Sequence, residues 1–82
     1  MNVHLQSIDP ARGRRRRYTI QLQPCLWGGV DVISTWGRVG QAGGVTRSEH
    51  FPALDSALRR CGKILLLRAR HGYVILSNSL PA

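Results

Sequence analysis

The spacing of apolar residues changes along the chain, from a period of two to a period of about 3.6. Between residues 15 and 23, Tyr18, Ile20 and Leu22 alternate with polar positions, which is typical of a strand with one buried face. Similar short apolar segments are bounded by glycine, proline or charge. They predict further strands at 3–8, 30–36, 45–50 and 73–76.

A helical period begins at residue 54 and continues to residue 71. The apolar positions on one helical arc are Leu54, Ala57, Leu58, Cys61, Ile64 and Leu65. Pro52 suits the start of a helix, Asp55 complements the helix dipole there, and Gly72 suits a left-handed cap at the end. We therefore expect one amphipathic helix of about five turns.

Four or five short strands and one helix predict an α+β fold. The expected architecture is a small antiparallel sheet with the amphipathic helix packed on one face. A chain of 82 residues has room for a single thin core, so residues 1–82 are expected to form one domain. The tail at 77–82 is expected to fray.

Charge narrows the range of partners. Twelve lysines and arginines against four acids give a formal net charge of +8, which attracts polyanions. Nucleic acid is the commonest polyanion in a cell, although an anionic membrane or an acidic protein would obey the same physics. The densest positive segment runs from 12 to 17, and its arginines are candidate phosphate contacts: Arg12, Arg14, Arg15, Arg16 and Arg17. A solvated arm that aids solubility is the alternative.

The segment 36–40, Trp36-Gly37-Arg38-Val39-Gly40, carries the most suggestive chemistry. A tryptophan ring can stack on a sugar or base, and an arginine beside it can bind phosphate in a bidentate manner. The same residues would also suit a tight turn over a small core. Arg47, on the polar fourth strand, is a further candidate contact.

Two more surfaces of the helix are candidates for binding. Arg59, Lys63 and Arg70 lie on the arc opposite the apolar one and form a secondary basic stripe or a solvated face. Leu66 and Leu67 fall off the apolar arc. They either widen the contact with the core or form an exposed patch that could bind a protein partner.

The remaining aromatic and sulfur-containing residues are assigned to the core or to free thiols. Trp27 is expected to be buried, and Tyr18 and Tyr73 are expected to be core aromatics with exposed hydroxyls. Cys61 lies on the apolar arc of the helix and is expected to fill core space. Neither Cys25 nor Cys61 belongs to a CxxC motif or to a Cys/His pair at zinc-ligand spacing, so we expect reduced thiols, no metal site and no cofactor.

Catalysis and membrane insertion have little support. The four acids are dispersed and no nucleophile has a triad setting, so an enzyme is not expected. Residues 40–44 are rich in glycine but lack the GK[ST] ending of a phosphate-binding loop. No apolar run approaches the roughly 18 residues of a spanning helix, and the start lacks the features of a signal peptide. A cytoplasmic location and no membrane partner are expected.

Several motifs occur in an order that resembles the WGR domain family. They are Arg17-Tyr18-Thr19-Ile20-Gln21-Leu22, Leu26-Trp27-Gly28, Trp36-Gly37-Arg38-Val39-Gly40, Gly43 or Gly44, Phe51, Ala57 and Arg70-His71-Gly72-Tyr73. The resemblance covers about residues 5–73. The chain departs from the family where Pro52-Ala53 offers no side-chain acceptor to cap the helix, and where extra arginines precede Arg17.

The resemblance implies a fold and a function. The family occurs in poly(ADP-ribose) polymerases and as small bacterial proteins, which this chain resembles more. In the polymerases the domain binds DNA near a strand break, its motif tryptophan packs at the terminal nucleotide, and basic residues hold the backbone. By resemblance, Trp36 would pack against the nucleotide and Arg38 would bind phosphate or tie domains together. A monomeric DNA-binding module is the leading hypothesis, with RNA binding as a variant and a protein-interaction adaptor as the alternative.

Overall fold

The computed structural model describes residues 1–80 and contains one antiparallel sheet and one long helix. The sheet has five strands in the order β4-β3-β2-β1-β5. The strands are β1 (Asn2–Asp9), β2 (Arg14–Pro24), β3 (Val30–Arg38), β4 (Val45–Phe51) and β5 (Val74–Asn78), and the helix is α1 (Leu54–Arg70). This arrangement confirms the predicted α+β class and the predicted antiparallel sheet with one helix.

Strand alternation creates one buried face. The buried sheet residues on that face are Val3, Leu5, Ser7, Tyr18, Ile20, Leu22, Val30, Val32 and Ser34. Helix α1 covers this face with Ala57, Cys61 and Ile64, while Leu58 and Leu65 pack against it as partly buried residues. Ile20 is fully buried, and burial of such a side chain contributes about 1.5–3 kcal/mol. The other face of the sheet has no helix on it within residues 1–80.

The ends of helix α1 are fixed by different means. At its start, Ala53 supplies no side-chain acceptor. Arg60 in the second turn ties the helix to the sheet, because its guanidinium donates to both carboxylate oxygens of Glu49 on β4 at 3.0–3.2 Å. This hydrogen bonding lowers the pKa of Glu49 and raises the pKa of Arg60. At the other end, Gly72 adopts a φ of +83°, as predicted for a left-handed cap.

The structure differs from the sequence predictions at three places. Trp27 was expected in the core, but it is 98% exposed on the loop between β2 and β3. Strand β3 continues through Arg38, two residues beyond its predicted end at Trp36, so the motif arginine lies on the same strand as the tryptophan. Strand β5 extends to Asn78, two residues beyond the predicted end, and residues 81–82 of the predicted tail lie outside the described residues.

The register of β2 and β3 defines two ends of an elongated molecule that measures 45 × 25 × 17 Å. At one end Arg16 pairs with Arg38, and we call this the arginine end. At the other, Pro24 pairs with Val30, and we call this the hairpin end. Eight of the twelve basic side chains belong to the arginine end: Arg12, Arg14, Arg15, Arg16, Arg17, Arg38, Arg68 and Arg70. Within the described part of the chain, no helix is long and apolar enough to cross a bilayer.

Candidate nucleic-acid interface

An aromatic cluster forms the floor of the arginine end. Tyr18 and Trp36 are directly opposite each other on β2 and β3, and their rings stack with centroids 5.6 Å apart and planes 7° from parallel. Tyr73 meets Tyr18 edge to face at 6.0 Å. Tyr18 and Tyr73 are 8% exposed, which confirms their prediction as core aromatics, whereas Trp36 is only partly buried. One side of the Trp36 ring is therefore held by Tyr18 while part of the side chain still reaches solvent.

Two half-buried arginines lie against the aromatic floor. The guanidinium carbon of Arg68 lies 5.2 Å from the ring centroid of Tyr18 and 5.8 Å from that of Tyr73. The guanidinium carbon of Arg14 lies 5.6 Å from the centroid of Tyr73. Cation–π contacts of this kind orient a guanidinium before a ligand binds. Less side-chain entropy is then lost on binding than for a free arginine side chain. The aromatic residues thus hold two positive charges in fixed positions.

Both of these arginines retain unused hydrogen-bonding capacity. Arg14 donates from one terminal nitrogen to the backbone carbonyl of His71 at 2.8 Å. The Nε atoms of Arg14 and Arg68 are buried and have no partner within the described chain. A buried donor without a partner is costly, and an anion that reached it would remove that cost.

These residues line an open groove of about 650 Å³ at the arginine end. Its walls are Arg12, Gly13, Arg14, Arg15, Arg16, Trp36, Gly37, Arg38, Arg68 and Tyr73. Six of these described residues are arginines and none is acidic. Guanidinium groups that converge on one groove, with no carboxylate among the residues that line it, favour an anionic ligand.

Strand alternation divides the arginine run between the two faces of the sheet. Arg14 and Arg16 share the face of Tyr18, while Arg15 and Arg17 alternate with them. Arg17 is committed to structure, because it donates to the backbone carbonyls of Gln41 and Gly43 and so fastens the loop 39–44 against the sheet.

The same loop approaches the backbone of Trp36 closely. Gly44 has a φ of +127°, and a Cβ atom there would overlap the carbonyl group of Trp36. Only glycine accommodates both the backbone conformation and the contact. The glycine-rich loop thus packs against the backbone of Trp36.

The other sequence-predicted contacts lie at different distances from the groove. Arg12 is exposed at its rim, 3.6 Å from Asp9. Arg70 lines a second cavity of about 480 Å³ next to the first, and Arg12 and Arg14 line both. Arg47 lies outside the groove, 3.5 Å from Glu49. Arg59 and Lys63 are exposed on helix α1 and do not line either cavity.

Sequence reasoning missed Arg68, which is central to the groove. Its position was readable from periodicity, because residues 57, 61, 64 and 68 follow the helical spacing of three and four. An arginine that continues the buried arc of a helix needs a partner for its charge, either another side chain or a bound anion. The predicted basic stripe of Arg59, Lys63 and Arg70 lies on the opposite arc and does not include Arg68.

Comparison with known proteins identifies the family. The sequence profile of the WGR domain matches residues 1–79. The chain belongs to the WGR domain family. WGR domains are non-catalytic nucleic-acid-binding modules.

The relatives add little beyond the family. Uncharacterized protein y4dW of Sinorhizobium fredii (strain NBRC 101917 / NGR234) is 28% identical over 71 residues, which are 87% of this chain. The aligned region is 34% of that relative, so this WGR domain corresponds to about a third of the longer protein. No solved structure matches the chain significantly.

At the hairpin end, this WGR domain brings together three reactive side chains. Nδ1 of His50 on β4 donates to Oδ1 of Asp31 on β3 at 2.8 Å, and it lies 3.7 Å from Sγ of Cys25. The hydrogen bond from His50 lowers the pKa of Asp31, while partial burial and the neighbouring Asp31 raise the pKa of Cys25. The three residues are far apart in sequence, and their spacing gave no sign of this cluster.

Proposed function

We propose that this WGR domain is a non-catalytic module that binds DNA. The groove at the arginine end would contact the backbone of the DNA or the ends of a duplex. The observation that carries the proposal is the groove itself, in which six arginines and Trp36 converge without an acidic side chain among the described lining residues. Phosphates are the natural occupants of such a site, because each accepts bidentate, charge-assisted hydrogen bonds.

The groove residues would make different contacts with DNA according to their depth in the groove. Arg16 and Arg38 are exposed and paired across β2 and β3, so they would meet phosphates at the rim. Arg14 and Arg68 lie deeper, where their guanidinium groups line the groove and would bind a phosphate that enters it. The exposed part of Trp36 would pack on the sugar or base of a terminal nucleotide. Contacts of these types position a nucleic acid and read little sequence.

Matched double variants test the proposal. Arg16→Gln/Arg38→Gln removes two charges from the groove, and Arg59→Gln/Lys63→Gln removes two from the exposed face of helix α1. Both variants lower the net charge equally, so a protein that binds through overall charge alone would lose the same affinity in each. Loss of two phosphate contacts lowers the salt slope by about 1.8, which is roughly a 12-fold smaller decrease in affinity between 50 and 200 mM salt.

The measurement is a titration of labelled duplexes over that salt range. We expect the groove variant to lose salt dependence and the helix variant to resemble the wild type. Equal slopes in the two variants would refute the groove. Duplexes with and without a 5′-phosphate or a nick test end binding, and a matched RNA duplex separates DNA from RNA as the partner.

A protein-interaction adaptor is the second candidate. It is favoured by Leu66 and Leu67 on helix α1, which are 57% and 45% exposed. Two neighbouring exposed leucines beside basic residues suit a partner with an apolar, acidic surface. Co-purification of a protein that resists nuclease and high salt, and that is lost in Leu66→Gln/Leu67→Gln, would support this function. Light scattering on the isolated chain tests the proposed monomer.

A further inference from the structure

The cluster at the hairpin end has the composition and geometry of a metal site. It contains one thiol, one imidazole and one carboxylate, and the candidate ligand atoms all lie within 4.8 Å of one another. We propose that Cys25, Asp31 and His50 bind a zinc ion, with water or a fourth ligand completing a tetrahedron. Sulfur, nitrogen and oxygen donors together are the ligands that zinc prefers.

The distances are close to those that zinc requires. Usual zinc-ligand bond lengths at tetrahedral angles place sulfur and nitrogen about 3.6 Å apart, and nitrogen and oxygen about 3.4 Å apart. The corresponding distances here are 3.7 Å from Cys25 to His50 and 2.8 Å from His50 to Asp31. To bind zinc, the distance between His50 and Asp31 must open by about 0.6 Å, through a small rotation of the Asp31 carboxylate.

The arrangement differs from that of a catalytic triad. In a nucleophile–histidine–acid triad the nucleophile and the acid use different nitrogens of the imidazole ring. Here Cys25 and Asp31 both approach Nδ1 of His50. Such geometry does not relay a proton from the thiol to the carboxylate through the ring. It places three donor atoms around a common point, as a metal ion requires.

The backbone holds all three ligands in place. Asp31 and His50 are directly opposite each other on β3 and β4, on the sheet face away from helix α1. Cys25 follows β2, and its amide donates to the carbonyl of Gly29 at 3.0 Å. A Cβ atom on Gly29 would lie 2.7–2.8 Å from the His50 ring, so this glycine lets the imidazole lie against the backbone.

Charge also fits a divalent ion. A cysteine thiolate and the Asp31 carboxylate would together neutralise the charge of Zn²⁺, while binding displaces the protons of the thiol and of Nδ1. The imidazole hydrogen then resides on Nε2. The strongly basic arginine end is at the opposite end of β2 and β3, where it opposes cation binding least.

Cobalt titration tests the site directly. Reduced protein is titrated with Co²⁺, whose thiolate charge-transfer absorption reports a sulfur ligand, and Zn²⁺ is then added as competitor. We expect one ion per chain, loss of the charge-transfer band in Cys25→Ser, and at least about tenfold weaker binding in His50→Gln and Asp31→Asn. The control is His4→Gln, which removes an exposed imidazole on β1 without altering the cluster.

Alkylation gives a second readout. Zn²⁺ should slow the reaction of Cys25 with iodoacetamide, while the fully buried Cys61 serves as an unreactive reference. The proposal is refuted by an affinity weaker than about 1 mM, by equal cobalt spectra in wild type and Cys25→Ser, or by one ion for every two chains. Circular dichroism establishes that each variant is folded. DNA titration of the same variants shows that the outcome is independent of the groove.

Discussion

The two tryptophans of this chain stand in similar local sequences and in opposite environments. Each is followed by glycine, as Trp27-Gly28 and Trp36-Gly37. Trp36 lies on β3, stacks on Tyr18 and lines a groove with six arginines. Trp27 lies at the tip of the β2–β3 loop and is 98% exposed. The difference comes from strand register, because only Trp36 has an aromatic partner directly opposite it.

The two ends of the β2–β3 strand pair therefore suit different ligands. The arginine end collects guanidinium groups on an aromatic floor, and this favours anions. The hairpin end collects a thiol, a carboxylate and an imidazole, and this favours a cation. The same pair of strands separates the two clusters, so each can be altered without disturbing the other. The predictions below test this separation.

The largest expected effect is on stability at the arginine end. Tyr18→Ala removes a ring that is 8% exposed and contacts both Trp36 and Tyr73. We expect the free energy of unfolding to fall by about 3–5 kcal/mol, measured by urea denaturation. Tyr18→Phe retains the stacked ring and should cost less than about 1.5 kcal/mol. A similarly small loss in Tyr18→Ala would show that the aromatic floor does not support the fold.

The next effect is on binding. Arg68→Met keeps an unbranched side chain against Tyr18 and Tyr73 but removes the guanidinium from the groove. If Arg68 binds phosphate, DNA affinity should fall at least about tenfold, since a hydrogen bond to a charged group contributes about 1.5–3 kcal/mol. Arg59→Met, on the exposed side of the same helix, is the control. Equal losses in the two variants would assign Arg68 a general electrostatic role.

Much of the fold was predictable because local sequence and tertiary structure agree. Alternation in β2, the period of 3.6 in α1 and the cap at Gly72 all appear as predicted. Trp27 was placed wrongly because a large aromatic residue next to glycines was assumed to be buried. Trp27 instead lies in the tight β2–β3 loop that the Cys25–Gly29 hydrogen bond closes, where the neighbouring Leu26 is also exposed.

The candidate site was only partly predictable for a related reason. Trp36 and Arg38 were identified from the chemistry of their local motif and from the family resemblance, but the cross-strand contacts depend on strand pairing that sequence spacing does not give. Arg17 belongs to the arginine run in sequence, yet alternation turns it toward the loop carbonyls of Gln41 and Gly43. Cys25, Asp31 and His50 come together only through the register of three strands.

A smaller, pH-dependent effect concerns the tie between helix α1 and the sheet. The pKa of Glu49 is lowered by its hydrogen bonds with Arg60, so its contribution to stability is full above the ordinary value of 4.5 and is lost as pH falls through the lower, folded pKa. Glu49→Gln should lower the free energy of unfolding by about 0.5–1 kcal/mol at pH 7. This difference from the wild type should shrink as the pH falls below 4.5 and through the folded pKa of Glu49. A double-mutant cycle with Arg60→Gln measures the pair, and an unchanged difference at acid pH would contradict the assignment.

The smallest expected effect is at the hairpin end, and it tests the separation of the two ends most directly. Trp27→Phe should change the free energy of unfolding by less than about 0.5 kcal/mol, since Trp27 is 98% exposed. This variant leaves Trp36 as the sole tryptophan, and duplex DNA should quench its fluorescence. Trp36→Phe leaves Trp27 as the sole reporter, and its emission should not respond to bound DNA, because Trp27 lies at the opposite end of β2 and β3. Quenching of Trp27 by DNA would mean that the nucleic acid extends along the sheet to the hairpin, and the two ends would then form one binding surface.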